Sequence, residues 1–410
     1  MPELSSVAMF TNEYPPNVYG GAGVHVEYLS RALTRSVRVE VRAFGTQDID
    51  NDQLMVRGYL GWDEMRRNTD PRFTGALDAL SRSLAMAKDT LDADIVHCHT
   101  WYTELAGFLA KELWNMPLVV TIHSLEPLRS WKVEQLGSAY HVSSWMERTG
   151  IEQADAIVAV SSETRNDVLA HFNVQPERIH VIHNGIDLAE YRKTRNFEAL
   201  SRHEVDPNRP SVLFVGRITR QKGIIHLVNA IPAIDPSLQV VLLAGAPDTD
   251  EIAREMKERL AEVASGREGV IWIPEMLPRG EVIQFYSHAT VFVCPSVYEP
   301  FGIINLEAMA CETAVVASAV GGIPEVVVPE ETGLLVDPHL IPGTFEPVDP
   351  ASYSHDLAAA INRVGLDSST ARRFGENGRL RAEQHFSWDA IADKTLALYR
   401  SLLDNRTVMS

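Results

Sequence analysis

Cysteine is scarce in this chain: Cys98, Cys294 and Cys311 are the only three in 410 residues. That is too few for a disulfide framework, and each lies in or near an apolar segment, which points to a reducing compartment. Long apolar runs are missing as well. No stretch reaches the ~20 residues a membrane-crossing helix needs, and the opening MPELSSVAMF has neither a basic flank nor a long apolar core. Both absences predict a cytoplasmic protein with no membrane partner. Positive charge is in deficit: 37 Lys and Arg against 55 Asp and Glu give a formal net charge of −18, which argues against nucleic acid as a main partner. A local basic pocket for a small anion stays compatible with that balance.

The chain is longer than one hydrophobic core usually organises, so two domains are expected. Short apolar runs at 7–11, 37–44, 95–99, 118–123, 157–160 and 179–182 read as buried strands, with helical patterns at 24–33, 76–91, 103–113 and 163–172. The alternation predicts an α/β, doubly wound, mostly parallel sheet. At 187–210 the pattern loosens into charged sequence ending in Asp206-Pro207-Asn208-Arg209-Pro210, which reads as a linker. A second strand series follows at 211–215, 240–244, 270–273, 291–294, 314–317 and 334–336, with helices at 250–264, 370–385 and 388–403. The division expected is residues 1–186 for a first Rossmann-like domain, 187–210 for the linker and 211–385 for a second such domain. The final helix, within 386–410, would cross back onto the first domain. Two domains of this kind hold ligand in a cleft at the carboxyl ends of their strands.

One stretch carries the most chemistry. Val291-Phe292-Val293-Cys294 ends at a Pro-Ser turn, Glu299 follows in the loop, and Phe301-Gly302 opens the helix FGIINLEAMA with Glu307 in its first two turns. The backbone amides around Gly302 and Ile303, with the positive end of the helix dipole, suit an anion such as a diphosphate. The two carboxylates can accept hydrogen bonds from sugar hydroxyls. The Glu299-to-Glu307 spacing resembles the signature of retaining glycosyltransferases of the GT-B fold.

Other loops sit where such a site needs them. Arg217 and Lys222, on the glycine-bounded loop Gly216 to Gly223 after the first strand of the second series, form a cationic grip for phosphate. Gly20 and Gly21 precede a helix after the first strand of all, where bare backbone can approach a phosphate or sugar, and Glu13 stands at that strand's end. In His97-Cys98-His99-Thr100-Trp101-Tyr102, no acidic or thiolate cluster accompanies the histidines at ligand spacing, so no metal site is expected. His99 and Trp101 read instead as sugar-binding surface, and His123 as a sugar contact at a strand end. Arg129 and Lys132, with Trp131 between them, could hold an acceptor phosphate. Two carboxylates also suit a retaining glycosidase, but a hydrolase of neutral glycans needs no diphosphate grip.

Together, EYPPNVYGGAGVHVEYL, HCHTWYTELAG, TIHSLEPLRSWKVEQLG, NGID, GRITRQKG and PSVYEPFGIINLEAMA resemble the actinobacterial-type glycogen synthases, over about residues 7–388. That group includes enzymes making α-maltose 1-phosphate. The resemblance implies a GT-B hexosyltransferase that moves glucose from ADP-glucose, its donor substrate, with retention, and needs no cofactor or metal. It implies that Gly21 meets the diphosphate and glucose, His123 the transferred sugar, Arg217 and Lys222 the diphosphate, and Glu299 the sugar hydroxyls. Gly302 and Ile303 would meet sugar and phosphate, and Glu307 the ribose. Where better-known bacterial glycogen synthases have Lys-x-Gly-Gly-Leu, this chain has Val18-Tyr19-Gly20-Gly21-Ala22, so a lysine contact there does not carry over. The acceptor implied is a sugar phosphate or an α-glucan, and a homodimer is the assembly to test. Open alternatives are a related transferase using UDP-glucose and an inactive sugar-nucleotide-binding protein.

Overall fold

A computed structural model describes residues 4–18, 20–65, 67–129 and 137–409. The chain folds as two compact units, one of Met1–Gly185 with Trp388–Ser410, the other of Ile186–Ser387. Each is a doubly wound, Rossmann-like α/β unit.

The first unit holds β1 (Ser6–Thr11), β2 (Arg38–Phe44), β3 (Asp48–Asp50), β4 (Leu54–Tyr59), β5 (Ile95–His99), β6 (Leu118–Ile122), β7 (Ala156–Ala159) and β8 (Ile179–Val181). They lie in the order β3-β4-β2-β1-β5-β6-β7-β8, parallel except for the β3–β4 pair. Every residue of β1, β5, β6 and β7 is buried, as expected where helices cover both faces of a parallel sheet. The β3–β4 hairpin has no signature in the apolar pattern, because β3 is an exposed edge strand. The first long helix after it begins at Pro71 rather than near 76, since the Asp70 carboxylate caps it by accepting the Arg72 N–H and Pro71 fits its first position.

The final helix, Trp388–Met409, belongs to this unit. Its Ile391, Leu396 and Tyr399 join a core with Val7 and Met9 of β1 and Val26 and Leu29 of the helix Gly21–Leu33. A methyl group on Gly185 would come 2.6 Å from the Trp388 ring, so the glycine is what lets the indole seat there.

The second unit holds β9 (Ser211–Arg217), β10 (Gln239–Gly245), β11 (Val270–Ile273), β12 (Val291–Cys294), β13 (Ala314–Ser318) and β14 (Gly333–Val336), all parallel in the order β11-β10-β9-β12-β13-β14. Residues 187–210, read as a linker, are ordered against the second unit. They pack into this unit: Thr194 N–H donates to Ser287 Oγ at 3.1 Å, Ala199 N–H to Gln284 Oε1 at 2.9 Å, and Arg379 to the Tyr191 carbonyl at 2.9 Å.

In both sheets the strand order reverses once at the middle, between β1 and β5 and between β9 and β12. Loops leaving two such strands in opposite directions open a crevice at their carboxyl ends, where ligands of this architecture bind. Among the described residues, no helix is long and apolar enough to cross a membrane.

Candidate active site

In the second unit, the reversal brings the loop after β9 against the loop after β12. Gly223 has φ +58°, and a Cβ there would lie 2.0 Å from the Pro295 carbonyl oxygen, so only glycine permits this approach. Val297 N–H donates to the Gln221 carbonyl at 3.0 Å and pins the two loops together. Lys222 Nζ then donates to Glu299 Oε2 at 2.6 Å, and the Ser296 hydroxyl donates to the same oxygen at 3.2 Å. Burial pulls the Lys222 ammonium down, but the Glu299 carboxylate beside it outweighs that, so its pKa is held above the usual lysine value. The lysine therefore stays charged. Gly223→Ala is expected to cost about 1–2 kcal/mol through backbone strain alone, with the carbonyl clash in addition. Thermal unfolding should begin at least roughly 2 °C lower. An unshifted unfolding temperature would show that the loops meet without needing the glycine.

Arg217 ends β9 and its Nη1 donates to Asp248 Oδ1 at 3.0 Å, which orients the guanidinium. Gly302 takes φ +96° before the helix Ile303–Ala310, and a Cβ on it would lie 2.6 Å from Asn305 Nδ2. Asn305 N–H already donates to the Gly302 carbonyl at 3.0 Å, and the Ile303 and Ile304 amides ahead of it precede the helix's internal ladder and suit an anion. Asn305, in the same turn, is fully buried, and neither of its amide atoms has a hydrogen-bond partner. Glu307 accepts Tyr191 Oη–H at 3.0 Å on one oxygen and Tyr286 Oη–H at 2.9 Å on the other. Burial pushes the Glu307 carboxyl up, and these two hydroxyls oppose it.

In the first unit, Glu13 Oε2 accepts the Gly20 N–H at 2.7 Å, so that amide is committed to a carboxylate. Gly21 is exposed at the start of its helix. His99 ends β5 and His123 follows β6; these strands are neighbours, and His99 Nδ1 lies 3.1 Å from His123 Nε2. His97 points into the core, where its two nitrogens meet Tyr399 Oη and Thr121 Oγ1, each at 2.6 Å.

One expectation needs correction here. Trp101 is only 7% exposed and packs with Ala79, Leu105 and Met146, so its indole is core rather than sugar-facing surface. Arg129, expected to meet an acceptor phosphate, is tied to an acidic neighbour. It pairs with the buried Glu126 at 3.3 Å, next to Glu147, whose carboxylate accepts the Glu126 N–H. Lys132 and Trp131 lie outside the described residues.

The chain matches the family described as Glycosyltransferase Family 4 over residues 19–190, and Glycosyl transferases group 1 over residues 196–381. It is 49% identical over 403 residues to the alpha-maltose-1-phosphate synthase of Mycolicibacterium smegmatis, covering 97% of this chain and 99% of that protein. The chain belongs to the GT-B glycosyltransferases. This glycosyltransferase is also 48% identical, with the same coverage, to the alpha-maltose-1-phosphate synthase of Mycobacterium tuberculosis. Among solved structures it is similar to sucrose-phosphate synthase from Thermosynechococcus elongatus, with TM-score 0.75 and 26% identity over 98% of this chain and all of that one. It is an enzyme of the hexosyltransferase kind.

Several side chains at the glycosyltransferase's candidate site went unnoticed in the sequence. Tyr191 sits in the segment read as linker, 116 residues from the Glu307 it meets. Asp248 follows β10 and reaches Arg217 across 31 residues. His25, one turn into the first helix, lies beside His99 and His123. Only Asn305 had a local signal, as a lone amide in the apolar run FGIINLEAMA.

Proposed function

We propose that this glycosyltransferase moves glucose from ADP-glucose, with retention of the α configuration, to glucose 1-phosphate, giving α-maltose 1-phosphate, or to an α-glucan chain. The observation that carries this reading is the 49% identity, over nearly all of both chains, to a protein named for that product. The Lys222–Glu299 pair supports it: a group for phosphate and a group for hydroxyls touch at 2.6 Å, and a glucosyl diphosphate presents the same two features side by side.

In the reaction, the bond between glucose C1 and the diphosphate oxygen breaks, and its electron pair leaves with ADP. Lys222, Arg217 oriented by Asp248, and the amides at Gly302 and Ile303 stabilise the charge that grows there. The acceptor hydroxyl oxygen bonds to C1 from the face the diphosphate leaves, and its proton passes to a departing phosphate oxygen. Glu299 and His123 hold hydroxyls of the transferred glucose, Gly20 and Gly21 line its approach, and Glu307 accepts from the ribose. Glu13, His99, Arg129 and Lys132 belong to the acceptor side. Trp101 contributes there only by supporting the backbone. No cofactor, metal or covalent nucleophile enters this scheme, and a cytoplasmic homodimer completes the reading.

Purified enzyme, in buffer with EDTA, is given ADP-glucose or UDP-glucose with glucose 1-phosphate or glycogen, and the product anomer is read by NMR. Consumption of ADP-glucose with glucose 1-phosphate to an α-linked disaccharide phosphate is expected. Turnover with UDP-glucose alone sinks the donor assignment, and a strong preference for glycogen sinks the acceptor assignment. Donor binding with no turnover would make the chain a binding protein.

A further inference from the structure

The first unit holds a cluster of three imidazoles, only two of which the proposed function uses. His25 lies in the helix after β1, His99 ends β5 and His123 follows β6. Because β1, β5 and β6 are consecutive in the sheet, the three rings converge over the carboxyl ends of its central strands. Ring centroids are 4.8 Å apart for His25 and His123, 5.3 Å for His25 and His99, and 5.4 Å for His99 and His123. One ring nitrogen from each lies within 4.8 Å of the other two.

We infer that His25, His99 and His123 form a site for a borderline-soft divalent metal ion of the Zn²⁺ class. Three features make the cluster a ligand set rather than packed core. First, His25 Nδ1 lies 2.6 Å from Asn184 Oδ1, an acceptor only, so Nδ1 carries the proton and Nε2 the lone pair. An amide carbonyl orienting the far nitrogen is the arrangement that fixes a metal-binding histidine. Second, His25 Nε2 is buried with no hydrogen-bond partner, on a ring 2% exposed. Third, His99 Nδ1 and His123 Nε2 share a hydrogen bond at 3.1 Å, close to the edge of a tetrahedron with Zn–N bonds of about 2.0–2.1 Å, which is roughly 3.3 Å, so an ion takes the place of the proton they share.

His97, close by, is excluded as a ligand because both its nitrogens are engaged. His123 is only half-buried, and water reaching it from that side would complete a set of four ligands. Three imidazoles and water suit zinc rather than magnesium or calcium, which prefer oxygen. One consequence rests on the proposed function: the metal and the transferred sugar draw on the same His123 ring, so Zn²⁺ inhibits the enzyme.

The test uses full-length, untagged protein titrated with Co²⁺ and read by visible absorption. The expected result is one equivalent per chain with the intense bands of four-coordinate cobalt, displaced by Zn²⁺. His25→Gln should abolish the bands. Asn184→Ala, which leaves all three ligands in place, should weaken binding by ~10–100-fold. If His25→Gln does not fold, the wild-type spectrum and Asn184→Ala decide the matter. A wild-type spectrum of six-coordinate cobalt only, or Co²⁺ affinity unchanged by both substitutions, overturns the site. Four-coordinate binding without Zn²⁺ inhibition of transfer keeps the site and overturns the sugar role of His123.

Discussion

Lys222→Ala is expected to lower kcat by ~10²–10³-fold, the usual loss when one preorganised donor to a developing oxyanion is removed. Its cause lies in what the pair does before and during transfer. At rest, Glu299 neutralises a half-buried ammonium at 2.6 Å. As the diphosphate leaves, the ammonium faces a charge that was not there in the ground state, so its removal acts on the transition state more than on donor binding. The substitution also leaves Glu299, itself 7% exposed, with only the Ser296 hydroxyl for company. Steady-state ADP release should therefore show kcat falling far more than the donor KM rises. Glu307→Ala should show the reverse, a raised donor KM, if its carboxylate serves the ribose. Turnover of Lys222→Ala within about tenfold of wild type would remove the cationic grip from the mechanism.

Acidification from pH 7.5 to 5 is expected to destabilise the first unit steeply. His25, His97, His99, His123 and His180 are all pulled below the ordinary histidine range, burial being the main cause for each. Their folded forms bind fewer protons than the unfolded chain, so the stability they contribute is complete above about pH 6.5 and is lost as pH falls toward the folded values. For His25, moved from 6.5 to about 4, that is about 3 kcal/mol at most. The shares do not add, because several of the rings repel one another when charged. Three carboxyls work in the opposite sense. Burial raises Glu104, Glu147 and Asp167, the last to about 6, and each recovers stability as pH falls through the window above its unfolded value. The imidazoles outnumber the carboxyls, so on balance unfolding takes up protons as the pH falls toward 5.

Six of the seven tryptophans belong to this unit, so urea unfolding followed by indole fluorescence reports on it. The midpoint should fall as pH is lowered. Glu104→Gln should raise the midpoint at pH 7.5, where the wild-type group costs most, and steepen the acid limb by removing one opposing proton. A midpoint that is flat or rises between pH 7.5 and 5 would contradict this balance.

The sequence by itself determined the architecture and which loops carry the candidate site. Near-continuous apolar runs such as Val291-Phe292-Val293-Cys294 suit only strands covered on both faces, and their alternation with amphipathic segments leads to parallel sheets. Loops that follow such strands carry ligand chemistry, so Lys222, Gly302, Glu299 and Glu307 could be named from position alone. Only the tertiary structure decided which of these groups touch. Lys222 and Glu299 are 77 residues apart, and they meet because β9 and β12 are neighbours at the reversal of strand order and because Gly223 lets two loops close to contact. Sheet order is a property of long-range packing, which no local pattern encodes. The same holds for Tyr191 and Tyr286 on Glu307, for Asp248 on Arg217 and for the convergence of His25 with His99 and His123. Position also misled where burial was the issue. Trp101 stands just beyond a strand end, yet its ring is packed into the core. Which side of the backbone a side chain leaves from, and what waits for it there, is decided by the packed helices around it.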